Sequence, residues 1–160
     1  MAIQVGDNFP SVTLKHLTDD GLKDISTDDL IKAGKVVLFA VPGAYTPTCS
    51  ARHLPGFVEN AAAIKAKGVD RIVCMAVNDP FVMRAWGDSQ KVGDTVIMLP
   101  DGSGALTRAL GQEFDISANN LGVRSQRFAM IIDGGVVKFL AVDKPGAFEV
   151  SSAEAVLAAL

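Results

Sequence analysis

A chain of 160 residues, 49% hydrophobic and 21% charged with a net charge of -3, buries a core without disulfide or metal staples and is not a disordered composition. Lys and Arg are scattered without a basic run, which argues against a nucleic-acid partner. No apolar run approaches the ~20 residues of a membrane span, and Met1-Ala2-Ile3-Gln4-Val5-Gly6-Asp7 lacks the basic and apolar regions of a secretory signal.

Two cysteines, Cys49 and Cys74, form neither a C-x-x-C nor a zinc pattern. The expectation is one domain over residues 1–160 in a reducing, cytoplasmic setting with free thiols, no metal and no cofactor.

Ser11 to Leu17 and Leu22 to Ile25 flank Asp19-Asp20-Gly21 and predict a hairpin. Ser26 or Thr27 is placed to cap a short helix through Ile31, with Asp28 and Asp29 in its first turn and Gly34 to end it. Val36 to Val41 is a β-branched and aromatic run, apolar on both faces, as suits a central strand covered on two sides. After a turn-rich loop from Pro42 to Thr48, apolar spacing predicts a helix from Cys49 to Lys67, kinked at Pro55-Gly56 and stopped at Gly68. Asp70 to Val77 is the next buried strand. Asn78 or Asp79 then caps a helix with Pro80 in its first turn and Phe81, Val82, Ala85 and Trp86 on its apolar side.

Thr95 to Leu99 is predicted as a strand and Ala105 to Leu110 as a short helix. Asp115 to Gln126 carries no strong pattern and is expected to be mostly loop. Phe128 to Ile132 and Val136 to Val142 are strands joined by the hairpin signal Asp133-Gly134-Gly135. Ser151-x-x-Glu154 reads as a capping box before a last helix, Ala155 to Leu160. Strands alternating with helices, closed by a hairpin, predict a three-layer α/β fold with a central mixed sheet flanked by helices.

The chemistry concentrates where the strand ending at Val41 meets the helix starting at Cys49. A thiol at a helix N-terminus feels unpaired N–H groups and the positive end of the helix dipole, and both favour the reactive thiolate. The alternative is a small buried hydrophobe. Thr46 can hydrogen-bond the sulfur or a bound oxygen, or be only a turn residue. Pro42 can stiffen the loop and shield the thiolate, or be only a turn residue. Together they give the spacing P-x-x-x-T-x-x-C. His53, at i+4 from Cys49, can face the thiolate or pack and hydrogen-bond locally. Cys49 with His53 is too few ligands for a metal. Trp86 fits the core or a dimer contact. Cys74, inside a predicted central strand, reads as a buried and inert packing residue.

Pro42-Gly43-Ala44-Tyr45-Thr46-Pro47-Thr48-Cys49-Ser50 resembles the active-site loop of peroxiredoxins, in particular the peroxiredoxin-five (type II) branch. His53-Leu54-Pro55-Gly56-Phe57, the run Val77 to Met83 and the run Arg124 to Ala129 are similar to segments of that branch in the same order, so the resemblance covers nearly the whole chain. It implies a thioredoxin-like fold and a thiol peroxidase for hydrogen peroxide and organic hydroperoxides. Carried over by position, Cys49 is the peroxidatic cysteine that cycles through a sulfenic acid. Thr46 then holds the peroxide, and Arg127 stabilises the thiolate and polarises the peroxide. Without the resemblance, Arg127 reads as a surface arginine beside Arg124.

Tyr45 stands where Phe is common in the branch. Ser151 to Leu160 holds no cysteine, although some members carry a resolving cysteine there, so Cys74 is the one internal candidate. If Cys74 is structural, the resemblance implies reduction from outside by glutathione with glutaredoxin, or by thioredoxin. It also implies a homodimer through the loop side of the site.

Other functions fit less well. A thioredoxin-type oxidoreductase wants C-x-x-C, whereas Ser50-Ala51-Arg52 follow Cys49. A cysteine hydrolase needs a positioned His, and only His16 and His53 exist. A non-turnover redox sensor or holdase oxidised at Cys49 shares every sequence feature and differs only in turnover.

Overall fold

The computed structural model describes residues 2–160. Thr13–Thr18 (β1) and Gly21–Ser26 (β2) pair antiparallel in a small sheet of their own. Ser26 caps α1 (Thr27–Leu30) by accepting the N–H of Asp28, a bond whose loss costs helices about 1 kcal/mol. The β-branched run then forms β3 (Lys35–Ala40), buried from Val36 onward. It is followed by the turn-rich loop from Pro42 and α2 (Leu54–Ala66). Next come β4 (Arg71–Ala76), α3 (Pro80–Ser89), β5 (Ile97–Pro100) and α4 (Ala105–Leu110). The chain closes with β6 (Glu113–Asp115), β7 (Val123–Ser125), β8 (Phe128–Asp133), β9 (Val136–Val142) and α5 (Ala153–Ala159).

The main sheet has the order β5-β4-β3-β8-β9. β4 runs parallel to both β3 and β5, whereas β8 is antiparallel to both β3 and β9. Both faces are covered, which is why the central strands are apolar throughout rather than alternating. On one face Val37, Phe39 and Cys74 pack with Leu54, Phe57 and Ile64 of α2, Trp86 of α3 and Val156 of α5. On the other, Val36, Leu38 and Met75 pack with Leu30, Leu106 and Leu110. This is the expected three-layer, thioredoxin-like arrangement with a mixed sheet.

The register places the site. Ala40, the last residue of β3, pairs with Phe128, the first of β8. Because the two strands are antiparallel, the loop leaving β3 and the residue entering β8 emerge at the same end of the sheet. Arg127 therefore arrives beside a loop that lies about eighty residues earlier in the chain.

Three local expectations are corrected. The helix after the loop opens at Pro47 and passes through a π turn, Cys49–His53, just upstream of Pro55-Gly56. Pro55 has no N–H for the carbonyl four residues back, and its ring crowds that carbonyl. The widened turn relieves this, with the Leu54 N–H donating to Cys49 O. Asp115–Gln126 is not mostly loop: β7 pairs with β6 across a short 3-10 turn at Ser117–Asn119. The cap of the last helix is Ser152, whose hydroxyl accepts from Ala155 N–H, because Ser151 is drawn to Asp143 instead.

Candidate active site

Cys49 is the third residue of its helix and fully buried. A thiolate there lies in the first turn, where backbone N–H groups lack intrahelical acceptors and the dipole favours an anion. The Arg127 guanidinium supplies the charge: Nη2 donates to Cys49 Sγ at 3.1 Å. Its other arm, Nη1, meets His53 Nδ1 at 2.8 Å. An arginine only donates, so Nδ1 must be the unprotonated ring nitrogen. Nε2 then carries the hydrogen and donates to Ser151 O at 2.9 Å.

His53 is fully buried among Phe39, Phe57 and Phe148, with ring centroids 5.0, 5.6 and 4.8 Å away. Burial first, and the Arg127 charge second, push its pKa down to about 3. His53 is thus a neutral orienting group. It does not bond the sulfur itself but reaches it through Arg127.

The loop is built to approach closely. Ala44 N–H donates to Asn78 Oδ1 at 2.9 Å, tying the loop to the end of β4. Thr46 Oγ1 donates to Gly43 O at 2.7 Å. Arg124 reaches Pro42 O through Nη1 at 3.4 Å. A Cβ on Gly43 would come within 2.8 Å of Arg124 Nη1 and 3.2 Å of Thr46 Cγ2, so a larger residue would displace both. Tyr45 takes φ 65°, the left-handed conformation that turns the chain back toward Thr46.

The Redoxin family profile matches residues 4–157. The chain is 53% identical to peroxiredoxin-2E-2, chloroplastic, of Oryza sativa subsp. japonica over 99% of this chain and 72% of the rice protein. It is 48% identical to peroxiredoxin-2B of Arabidopsis thaliana over 99% of this chain and 98% of that protein. This chain belongs to the peroxiredoxins. Among solved structures, it resembles a reduced Prx3 of Vibrio vulnificus in complex with hydrogen peroxide, at 52% identity and a TM-score of 0.93 over 98% of each chain. Peroxiredoxin 5 of Alvinella pompejana matches at 34% identity and a TM-score of 0.86, over 98% of this chain and 96% of that one. The peroxiredoxin is a thiol-dependent peroxidase of the type II, peroxiredoxin-five-like group.

Beside the loop of this peroxiredoxin opens a pocket of about 270 Å³, lined in part by Pro42, Thr48, Phe114, Ile116, Arg127 and Lys144. The structure brings Pro42, Thr46, Cys49 and Arg127 to one end of the sheet. Cys74 lies deeper, fully buried in the same core cluster as Cys49. Burial, and then the neighbouring Cys49, raise its pKa well above the ordinary thiol value. Trp86 is core, and its Nε1 donates to Ser50 Oγ at 3.0 Å, pinning the π turn.

Sequence reasoning did not place His53 between Arg127 and Ser151. The i+4 spacing left open whether His53 faces the thiolate or hydrogen-bonds locally, and the structure has it bonded to Arg127 and Ser151. Sequence reasoning also missed Phe148, whose ring lies 5.8 Å from the Arg127 guanidinium carbon. A lone Phe in a Gly-Ala-Phe loop carries no sequence signal.

The neutral His53 has a measurable consequence. Its ordinary pKa is 6.5 and the folded value is about 3. Below the ordinary value the unfolded chain binds a proton that the folded chain refuses, so stability falls with falling pH across that window. The slope from this one group reaches at most about 1.4 kcal/mol per pH unit, and above the window it contributes nothing. Urea unfolding between about pH 6.5 and 5, above the range where carboxylates titrate, isolates it. His53→Gln flattens the slope there; an unchanged slope contradicts the assignment.

Proposed function

We propose that Cys49 is the peroxidatic thiol, with Arg127, Thr46 and Pro42 completing its site. The observation that carries this is the Arg127 Nη2 to Cys49 Sγ bond at 3.1 Å, with the guanidinium fixed from behind by a neutral histidine. The Cys49 thiolate attacks the terminal oxygen of a hydroperoxide. An S–O bond forms, the O–O bond breaks, and the leaving hydroxide or alkoxide takes up a proton as water or alcohol. Sulfur loses two electrons and is left as a sulfenic acid.

Arg127 neutralises the thiolate and then the charge developing on oxygen. The Thr46 hydroxyl proton lies on Gly43 O, which frees its lone pairs to accept the O–H of the incoming peroxide. Pro42 walls the loop side and offers no N–H that could solvate the sulfur. Hydrogen peroxide needs no more room than this. The adjoining pocket, with Phe114 and Ile116 in its wall, suits the apolar tail of a small organic hydroperoxide.

Reduction comes from outside, by glutathione with glutaredoxin or by thioredoxin. The first thiol displaces water from the sulfenic acid to leave a mixed disulfide, and a second thiol releases Cys49. Cys74 is structural: a fully buried thiol held in its neutral form is a poor nucleophile. Cys74→Ala therefore keeps steady-state peroxide consumption with glutathione and glutaredoxin, or with thioredoxin, within about twofold of the wild type. Loss of turnover in Cys74→Ala, together with a Cys49–Cys74 disulfide in the oxidised wild type, overturns external reduction.

Residues 1–160 work as one peroxiredoxin domain, and free thiols suit a reducing compartment such as the cytoplasm. No helix among the described residues is long and apolar enough to cross a membrane. The working form is a homodimer through the loop side. Tyr45 on the loop and Phe81 at the start of α3 are 55% and 58% exposed, an apolar surface around a polar site. Tyr45→Glu lowers the mass seen by light scattering from twice the chain mass to one; an unchanged mass places the interface elsewhere.

A further inference from the structure

Arg127 is held at both of its ends by one closed ring of hydrogen bonds that leaves the active site and returns to it. At the backbone end, Arg127 O accepts the N–H of Asp143 at 2.9 Å. The Asp143 carboxylate, 4% exposed, gathers the loop that follows β9. Oδ1 accepts the N–H groups of Glu149 and Val150, each at 2.9 Å, and Oδ2 accepts Ser151 N–H at 3.2 Å and Ser151 Oγ–H at 2.5 Å. Ser151 O then accepts His53 Nε2–H, and His53 Nδ1 accepts Arg127 Nη1. The same loop carries Phe148, whose ring covers His53 and Arg127.

We propose that Asp143 is a positioning residue for the thiol chemistry, holding the Arg127 guanidinium on Cys49 through Ser151 and His53. This rests on the reading of Cys49 and Arg127 as the reacting thiol and its cation. Arg127 is a long side chain with many rotamers. To deliver Nη2 to the sulfur, it needs a fixed base and a fixed second contact. Its base is set by the strand register and by Asp143 N–H. Its second contact, His53, is packed among three aromatic rings and takes its ring orientation from Ser151 O.

Ser151 is not in a strand or helix, so no ladder of backbone bonds holds it. Asp143 does, through two bonds to that one residue. A carboxylate suits the task because it accepts four hydrogen bonds at once and donates none. Burial raises its pKa, and the bonds from Ser151, Val150 and Glu149 together outweigh this, so the carboxyl sits below its ordinary range and keeps all four bonds at neutral pH. An amide could accept at one atom only, and its NH₂ would face donors. A merely structural staple predicts lost stability with normal chemistry; a positioning residue predicts altered chemistry in protein that is still folded.

The test compares Asp143→Asn and Ser151→Ala, alone and combined with Arg127→Gln, in the intact chain. The readouts are the rate of reaction with hydrogen peroxide and the pH midpoint of Cys49 alkylation, both in Cys74→Ala protein so that one thiol reports. Each single variant slows peroxide about tenfold, within the hundredfold that a displacement of about 1 Å can cost at a reacting centre. Each also moves the alkylation midpoint upward. In the Arg127→Gln background neither changes the rate more than about twofold, because the group it positions is gone. Ser151→Ala removes one hydroxyl and covers the case in which Asp143→Asn does not fold.

Arg127→Gln slowing the reaction while Asp143→Asn or Ser151→Ala leaves rate and midpoint at the wild-type values overturns the proposal alone. So does a tenfold loss that persists undiminished in the Arg127→Gln background. A rate untouched by Arg127→Gln overturns the role of Arg127 itself, and this proposal with it.

Discussion

Replacing Arg127 by Gln slows the reaction of Cys49 with peroxide about a hundred- to a thousandfold, the usual cost of removing one preorganised donor from a developing oxyanion. Two losses combine. The thiolate loses its charge-assisted bond at 3.1 Å, and the leaving oxygen loses the cation that would stabilise it. Lys at this position restores the charge but not the fork. One ammonium on a flexible stem serves either His53 or the sulfur, so Arg127→Lys recovers only part of the rate.

The stability cost separates from the rate cost. Gln leaves His53 Nδ1 without its guanidinium donor, worth about 1–3 kcal/mol for a buried acceptor. It also removes the positive charge that helps keep His53 neutral. Arg127→Gln therefore raises the His53 pKa and narrows the pH window over which that residue destabilises the fold. Stopped-flow rates with excess peroxide check the first effect and urea unfolding against pH the second. A rate within threefold or so of wild type, in folded protein, is incompatible with electrostatic stabilisation by Arg127.

Cys49→Ser removes turnover altogether, down to the uncatalysed reaction of peroxide with the reductant. Ser matches Cys in shape, and the oxygen still accepts from Arg127, so the fold survives. A serine hydroxyl stays protonated where a thiol ionises, and oxygen gives up two electrons to a peroxide far less readily than sulfur does. Cys74→Ala keeps its turnover, so the pair assigns the chemistry to one sulfur. Steady-state consumption of hydrogen peroxide, with circular dichroism to show that Cys49→Ser is folded, checks this. Persistent turnover in Cys49→Ser places the reacting thiol at Cys74.

What was legible in the sequence was local. The apolar run before Val41, the turn residues from Pro42 to Thr48 and the helical spacing after Cys49 announce strand, loop and helix. The structure has these within a few residues. The P-x-x-x-T-x-x-C spacing likewise lies inside one loop. Arg127 was legible only through family resemblance, because what brings it to Cys49 is the antiparallel pairing of β8 with β3. Pairings of that kind depend on distant partners and leave no trace in either segment alone.

The other misses have causes of their own. Ser151 looks like a helix cap by spacing, but Asp143 competes for its hydroxyl. The segment from Asp115 to Gln126 looks patternless because strands of three residues are too short to show alternation. The π turn follows from the ring and missing N–H of Pro55, which widen the turn before it, and helical periodicity does not encode this.

The most direct test of Cys49 as the peroxidatic thiol is mass spectrometry of the reduced protein after a stoichiometric addition of hydrogen peroxide in the presence of a sulfenic-acid trap. The expected result is a single adduct on the peptide carrying Cys49, with Cys74 recovered as the free thiol and the yield sharply lower in Arg127→Gln. An adduct on Cys74, or equal labelling of Cys49 with and without Arg127, contradicts it.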